Sequence, residues 1–359
     1  MHPSGFVVGA LLVLLVLWEA FETIVYPRRV SRRFRLTRFF YRATWLPWRG
    51  VAHLMPAGAR REAFLSVYGP VSLLALLVLW AVLLVLGFAL LHWGGGSQLV
   101  APREVTGFTA DLYFSGATLF TLTLGDMTPA ARLGRVFTVL EAGTGIGLLA
   151  MVIGYLPTLS QAFSRRETNV TSLDARAGSP PSAGELLLRH KGPGGEEALV
   201  QQLGLWEHWA AELMETHVSF PVLAYYRSQH EGQSWVAALT TILDVCALIL
   251  AGIEPGPVRP ARTAFAMARH AAIDLTNAFR LKTRTLEPDR LPPVDLARLR
   301  QALGATDASL PTVPEVEAKL VRLRQTYEPY MNTLADFLVM PLPTWVSPEG
   351  ARDAWQSMA

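Results

Sequence analysis

Cysteine and charge are the two properties that this sequence has least of. The chain of 359 residues contains one cysteine, Cys246, which excludes an internal disulfide framework and a cysteine-based zinc site. Only 17% of the residues are charged whereas 51% are hydrophobic, and the mean hydropathy is +0.28. This composition excludes an ordinary soluble protein of the same size and indicates a membrane protein.

Motifs for nucleotide chemistry are absent as well. The chain has no Gly-x-Gly-x-x-Gly fingerprint, and the stretch 192–197 ("GPGGEE") lacks the Lys-Ser/Thr that follows in a phosphate-binding loop. No nucleophile stands beside a general base. We therefore predict that the protein is not an enzyme and that it lacks a nucleotide-binding regulatory domain.

Three long apolar runs are present, at 5–26, 69–93 and 134–159. A bilayer core of about 30 Å needs about 20 helical residues, so each run is long enough to cross. The first run could be a signal peptide, but it is too long for one and lacks a basic segment before it. We predict that it is a retained transmembrane helix.

Arginines set the predicted orientation. Between the first two runs there is no acidic residue from 28 to 61, and the arginines there are Arg28, Arg29, Arg32, Arg33, Arg35, Arg38, Arg42, Arg49, Arg60 and Arg61. The positive-inside bias places this loop in the cytoplasm, the N-terminus outside and the C-terminus in the cytoplasm. Anionic lipid headgroups explain the arginines better than nucleic acid does, so we predict the lipid bilayer as a partner and no nucleic acid.

The remainder of the chain reads as helical and cytosolic. Apolar residues recur at helical spacing beyond residue 185, and no alternating strand pattern competes with them. Segment 235–253 is apolar enough to suggest a fourth span, but Asp244 at its centre favours a buried helix of a soluble domain. The ligand or partner of this domain is not evident from the sequence.

A short apolar stretch at 109–120 lies between the second and third spans. Thr109 is a possible N-cap and Asp111 falls in the first turn, so the stretch predicts a helix that is too short to span. Irregular backbone at membrane depth must be buried in protein or line a water-filled cavity. A span, a short helix, the "TLTLGD" segment at 121–126 and another span together predict a pore loop.

Residues 113–141 resemble the pore domain of tetrameric potassium channels. The matching positions are Tyr113, Phe114, Ser115, Thr118, Thr121, Gly125, Asp126 and Pro129. The longer chain, including "WEAFETIVYPRR", "FSRRE", "LDARAGSPP" and "YYRSQH", is similar to bacterial potassium channel family proteins. The resemblance implies an all-α membrane protein of the bacterial inner membrane, a homotetramer and permeant potassium ions.

The same resemblance assigns the site and also shows where this chain departs from the family. Its ion-binding filter would be Thr121, Leu122, Thr123, Leu124 and Gly125. Asp126 would lie at the outer mouth or accept a hydrogen bond from a donor behind the filter, and these two roles are compatible. Thr123 and Leu124 replace the family's glycine and tyrosine. A threonine in left-handed backbone costs roughly 1–2 kcal/mol, and leucine offers no hydrogen bond, so we predict a degenerate filter of doubtful selectivity.

Other polar and small residues in the spans have competing interpretations. Gly145 and Gly143 would form a gating hinge, or would allow close helix packing. Glu141 would pair with Arg132 or Arg135. Further candidate contacts are Glu19 and Glu22 with the second span or the arginines of 28–42. Carboxylates and histidines of the C-terminal helices could hold a metal, although ion pairs explain them better, and we predict no metal site. These residues are His208, Glu212, Glu215, His217, His270 and Asp274.

The predicted organisation has five parts: an N-terminal transmembrane helix (1–27), a basic cytoplasmic linker (28–66), a pore domain of outer helix, pore helix, filter and inner helix (67–164), a linker (165–184) and a helical cytosolic domain (185–359). The predicted function is passive conduction of monovalent cations, with potassium implied by resemblance. Two alternatives stay open: a non-conducting or regulatory relative, and a membrane-anchored helical sensing or binding module.

Overall fold

The computed structural model describes residues 2–26, 35–100, 107–122, 124–230, 232–254, 256–283, 289–304 and 310–347. This part of the chain is mainly helical. A π-helical turn, Phe21–Val25, follows α1, and a 3₁₀ helix, Pro221–Tyr225, follows α7. The elements in order are α1 (Pro3–Ala20), α2 (Leu36–Leu54), α3 (Ala59–Gly95), β1 (Leu99–Val100), α4 (Phe108–Leu119), β2 (Thr128–Pro129), α5 (Arg132–Ala177), α6 (Ala183–Arg189), α7 (Gly195–Ser219), α8 (Trp235–Ala251), α9 (Val258–Ala278), α10 (Pro293–Gly304), α11 (Pro314–Gln325) and α12 (Glu328–Leu338).

Three helices in the described residues are long and apolar enough to cross a membrane: Pro3–Val25, α3 and α5. They coincide with the three predicted spans. Helix α5 is longer than predicted, because it continues through 160–177 to Gly178, whose φ of +86° ends it. The polar composition of 165–184 suggested a linker, but most of that stretch is helix.

The chain divides into two compact units. Unit 1 contains Met1–Gly50 and Val67–Gln161, and unit 2 contains Val51–Ser66 and Ala162–Ala359. Helices α2, α3 and α5 each contribute residues to both units.

In unit 1, helix α1 packs on α3 through glycine. An ideal Cβ on Gly9 would lie 2.6 Å from the Gly87 carbonyl oxygen, and one on Gly94 would lie 2.3 Å from the Phe6 backbone nitrogen. These distances leave no room for a side chain at either position. Small residues at such crossings are typical of helix packing in membranes.

The two acidic residues at the end of the first span organise the start of α2. The Glu19 carboxylate accepts hydrogen bonds from the backbone N–H groups of Leu36 (3.0 Å) and Thr37 (3.2 Å), which lie in the first turn of that helix. Glu22 accepts a hydrogen bond from the Trp18 indole at 2.7 Å and lies 3.8 Å from Arg35. The predicted contact with an arginine of 28–42 is thus confirmed for Glu22.

Helix α2 forms where the sequence suggested only a basic linker. Tyr41, Trp45 and Ala52 are buried, whereas Phe39 is 66% exposed and Leu54 is 86% exposed. The exposed apolar positions lie on the face of the helix opposite the buried ones. The density of arginines concealed this pattern at the level of sequence.

In unit 2, helix α8 is the central element and packs against α6, α9, α11 and α12. Asp244 is fully buried in it, accepts hydrogen bonds from Arg290 (2.6 Å) and from the Tyr327 hydroxyl (2.6 Å), and is thereby compensated. Segment 235–251 is thus a helix buried within unit 2, as the interpretation of 235–253 expected.

Candidate functional site

The short helix α4 lies between α3 and α5 in the sequence. It spans Phe108–Leu119, one residue earlier at each end than the predicted 109–120. Its N-cap is Gly107, with a φ of +96°, and not Thr109 as predicted. Asp111 occupies the first turn and is buried, where a carboxylate is favoured by the helix dipole.

The predicted filter segment begins at the C-terminal end of α4. Thr121 N–H donates to the Thr118 carbonyl at 3.0 Å, and Leu122 N–H donates to the Ala117 carbonyl at 2.8 Å. Thr121 has a φ of +54°. The left-handed residue that ends this helix is therefore a β-branched threonine, an uncommon choice that carries conformational cost. The cost predicted for Thr123 concerns a residue outside the described ones.

The other described filter residues, Leu122, Leu124 and Gly125, are exposed in the single chain. Leu122 is 56% exposed and Leu124 is 58% exposed. Gly125 has a φ of +71°, and an ideal Cβ there would meet no heavy atom within 4 Å. Glycine is needed at 125 for its backbone conformation, not for lack of space.

Asp126 accepts a hydrogen bond from a tyrosine of α4. The Tyr113 hydroxyl donates to Asp126 Oδ2 at 3.0 Å, and both residues are exposed. The bond joins the body of α4 to the residue that follows Gly125.

The segment after Asp126 is held by a small sheet. Strands β1 and β2 pair antiparallel, with Leu99 opposite Pro129 and Val100 opposite Thr128. Arg135, in the first turn of α5, donates through Nε to the Pro129 carbonyl at 3.2 Å. The filter segment is therefore anchored at both ends, by α4 before it and by this sheet after it.

A buried polar cluster connects α3, α4 and α5, and sequence reasoning did not find it. We name it the His92 cluster; its members are His92, Ser97, Ser115 and Glu141, each at most 3% exposed. His92 Nδ1 lies 2.8 Å from Ser97 Oγ, and His92 Nε2 lies 3.3 Å from Glu141 Oε2. Buried polar groups in membrane-spanning helices need such mutual partners.

Ser115 brings α4 into the His92 cluster. Its hydroxyl hydrogen-bonds with the Glu141 carboxyl group, and it also lies 2.8 Å from the Val85 carbonyl oxygen of α3. The Phe114 ring meets the His92 ring edge-on, with centroids 5.1 Å apart. The prediction that Glu141 pairs with Arg132 or Arg135 is wrong, because Glu141 is fully buried whereas Arg135 bonds to Pro129.

The two glycines predicted as a hinge have different surroundings. An ideal Cβ on Gly145 would lie 1.9 Å from the carbonyl oxygen of Leu119, the last residue of α4. One on Gly143 would meet nothing within 4 Å. At Gly145, α5 thus approaches the end of α4 more closely than any side chain permits.

Several of the candidate histidines and acids of unit 2 form ion pairs. Among the described residues, no three or more His, Cys, Asp or Glu side chains lie together as a metal site requires. Glu212 pairs with Arg165 at 2.8 Å, and His270 pairs with Asp274 at 3.0 Å.

His217 is buried beside a guanidinium group. Its Nε2 lies 3.3 Å from Arg166 Nη1 and its Nδ1 lies 2.9 Å from the Leu213 carbonyl oxygen. Arginine can only donate and a carbonyl can only accept, so this geometry selects the neutral imidazole with its proton on Nδ1. Burial, reinforced by Arg166, places the pKa of His217 well below its usual value.

These features are those of a membrane protein, and part of the chain is similar to an ion-channel family. Residues 73–161 match a family model described as "Ion channel". The match covers α4, the filter segment, most of α3 and the apolar part of α5, and it supports an ion channel.

A curated relative is also similar to this chain. It is the "Uncharacterized membrane protein YdjJ" of Bacillus subtilis (strain 168), which is 23% identical over 273 residues, or 72% of this chain and 74% of the relative. No solved structure matches.

Proposed function

We propose that the protein is a channel for passive movement of monovalent cations, with potassium as the first ion to test. The observation that carries the proposal is the placing of the short helix α4 and the Gly125–Asp126 turn between two spanning helices, within the residues that match the ion-channel family. The C-terminal end of α4 carries the negative end of a helix dipole. It immediately precedes the filter segment, where it would favour a cation.

Ion binding in this scheme uses oxygen atoms of the filter segment. The carbonyl groups of Thr121, Leu122, Thr123, Leu124 and Gly125, with the Thr121 hydroxyl, would replace water around the ion. Asp126 would add negative charge at the outer mouth. Its bond to Tyr113 uses one carboxylate oxygen, Oδ2, and leaves the other for a cation.

A homotetramer around one pore axis is part of the proposal. Only 6% of the apolar window of α5 is buried within the chain, against 33% for Pro3–Val25 and 39% for α3. An apolar helix with so little buried surface needs lipid or other subunits to cover it. The exposed filter segment likewise needs other copies of the chain to complete an ion site. Inner helices of neighbouring copies would cover α5, with Gly143 or Gly145 as the hinge.

We further propose that the protein lies in the bacterial inner membrane, with the N-terminus outside and unit 2 mainly in the cytoplasm. Helix α2 supports this arrangement. It follows the first span and precedes the second, and its exposed apolar face (Phe39, Leu46, Val51 and Leu54) lies beside Arg42 and Arg49. A basic amphipathic helix tethered at both ends to spans suits the anionic cytoplasmic surface of a bilayer.

The proposal is tested by reversal potentials in mixed potassium and sodium, measured on the full chain reconstituted in bilayers. A current carried by cations is expected, with modest preference for potassium. The double variant Thr123→Gly/Leu124→Tyr should raise that preference. Equal selectivity before and after the change would mean that positions 123 and 124 do not set it.

Gly125→Val tests the pathway itself. Valine at a φ of +71° costs about 1–3 kcal/mol in backbone strain, and in a tetramer the distortion occurs in every copy. The matched control is Gly232→Val, since Gly232 has a φ of +77° and equally open surroundings but lies in unit 2. Loss of current in the first variant alone supports the proposal, provided that both assemble as the wild type does. Undiminished current through Gly125→Val would refute it.

A non-conducting or regulatory relative is the second candidate, and the "TLTLGD" segment favours it specifically. Thr123 and Leu124 remove the glycine and the hydrogen-bonding ring that the resembled family uses. No current from the wild type, together with current from Thr123→Gly/Leu124→Tyr, would establish this candidate. The helical module of unit 2 would then be the functional part.

A further inference from the structure

A half-open groove in unit 2 has the chemistry of a ligand site. It lies between α9 and α11 beside the end of α8, and its volume is about 340 Å³. Pockets for small molecules begin at about 300 Å³. The groove is lined by Leu250, Val258, Arg262, Phe265, Ala266, Arg269, Lys319 and Leu323.

The charge in the groove has one sign. Three of the lining residues are cations, Arg262, Arg269 and Lys319, and none is acidic. In the described part of the chain these three form neither a hydrogen bond nor an ion pair, whereas Arg290 and Arg324 of the same unit are both paired with carboxylates. Unmatched positive charge gathered in a concave surface attracts an anion.

Arg269 is the most constrained of the three cations. Its side chain is half-buried, and its Nε is shielded from solvent without a hydrogen-bond partner. A shielded donor of this kind is costly unless something accepts from it. A ligand oxygen in the groove would satisfy it, and guanidinium groups bind phosphate and carboxylate oxygens in pairs.

The remaining lining is apolar and continuous. Val258, Phe265 and Ala266 lie on the same face of α9 as the two arginines, at the spacing of successive helical turns. Leu323 lies one turn after Lys319 on α11, and the Phe265 ring is 7% exposed. The groove thus pairs an apolar floor with a cationic rim.

We propose that this groove binds an organic anion, with a phosphate group held by Arg269, Arg262 and Lys319 and an apolar or aromatic body resting on Phe265 and Leu323. The same chemistry is found in soluble organic phosphates and in the headgroup region of phosphatidic acid. Binding here does not depend on ion conduction, so the proposal can fail without the channel proposal failing.

The test measures binding to the full chain in detergent with three probes: phenyl phosphate, phenol and inorganic phosphate. Phenyl phosphate should bind at least tenfold more tightly than either of the others, because only it supplies both the charge and the ring. Arg269→Ala should weaken phenyl phosphate about tenfold or more, the range for a lost charge-assisted hydrogen bond. The control is Arg298→Ala, whose side chain is 67% exposed and pairs with Asp295 outside the groove.

Two further variants and a competition experiment also test the proposal. Arg262→Gln and Lys319→Gln change exposed side chains and should weaken binding without unfolding the chain. Phosphatidic acid in nanodiscs is then tested as a competitor of phenyl phosphate. Competition in the wild type that is lost in Arg269→Ala would support the same site with a lipid as the ligand. No competition would support a soluble phosphate as the ligand. Equal affinity of Arg269→Ala and wild type, or equal binding of phenyl phosphate and inorganic phosphate, would overturn the proposal.

Discussion

Alanine at position 145 should displace the end of the pore helix. The added Cβ would lie 1.9 Å from the Leu119 carbonyl oxygen, whereas ordinary contact begins at 3.4 Å, so α5 and α4 must separate by about 1.5 Å. The Leu119 oxygen is a backbone atom and the added Cβ is bonded directly to the backbone, so neither can rotate away. Overpacking of this kind costs about 1–3 kcal/mol. Leu119 precedes Thr121 by two residues, so the displacement should also reduce cation current in the reconstituted channel.

Gly143→Ala and Gly147→Ala are the matched controls. They lie on the same helix, and neither added Cβ meets an atom within 4 Å in the chain. All three variants gain about the same helix propensity, about 1 kcal/mol per substitution. The difference in stability between Gly145→Ala and the two controls therefore isolates the contact with Leu119. Thermal unfolding of the full chain in detergent measures it. Equal stabilities and equal currents in the three variants would refute the close approach of α5 to α4. Altered gating in Gly143→Ala, at the same stability as Gly147→Ala, would favour a hinge at 143.

Two further predictions follow from α7 and α2. His217 is neutral in the folded chain with a lowered pKa, so its contribution to stability is intact above about pH 6.5 and is lost as pH falls. Between pH 6.5 and 5.5 the free energy of unfolding of the wild type should fall by about 1 kcal/mol more than that of His217→Gln. The control His208→Gln changes an exposed histidine and should follow the wild type. Parallel pH profiles for all three proteins would contradict the prediction. A fluorophore attached to Leu46→Cys should be quenched by brominated lipid, whereas one attached to Arg298→Cys should not. The native Cys246 is buried and should stay unlabelled. An unquenched label at position 46 would exclude lipid contact for α2.

Apolar length and helical spacing were enough to predict much of unit 1. The three spans follow from runs of about 20 residues, and α4 differs from its prediction by one residue at each end. The end of α5 was missed because the polar stretch 160–177 resembles a linker in composition, although it contains no glycine or proline to stop a helix. Helix α2 was missed for a similar reason, because its arginines hid an apolar face.

The His92 cluster could not be predicted because its contacts are far apart in sequence. His92 and Glu141 are separated by 49 positions, and Ser115 lies 26 positions from Glu141. Glu141 alone is compatible with a surface ion pair, which is how it was interpreted, and nothing local in the sequence points from it to His92 or Ser115. Only the packing of α3, α4 and α5 brings the three together, and the low polarity of the surroundings then makes their mutual bonds necessary.

The positions of these polar contacts bear directly on what the unusual filter changes. Ser115 connects α4 to α3 and α5 by hydrogen bonds, and Tyr113 connects α4 to Asp126. Neither contact involves Leu124, whose side chain cannot hydrogen-bond. The helix before the filter and the carboxylate after it are therefore braced independently of residue 124. Substitution at 123 and 124 should accordingly alter which ion is preferred while leaving α4 in place, and loss of Ser115 or Glu141 should do the reverse, disturbing assembly and stability before selectivity.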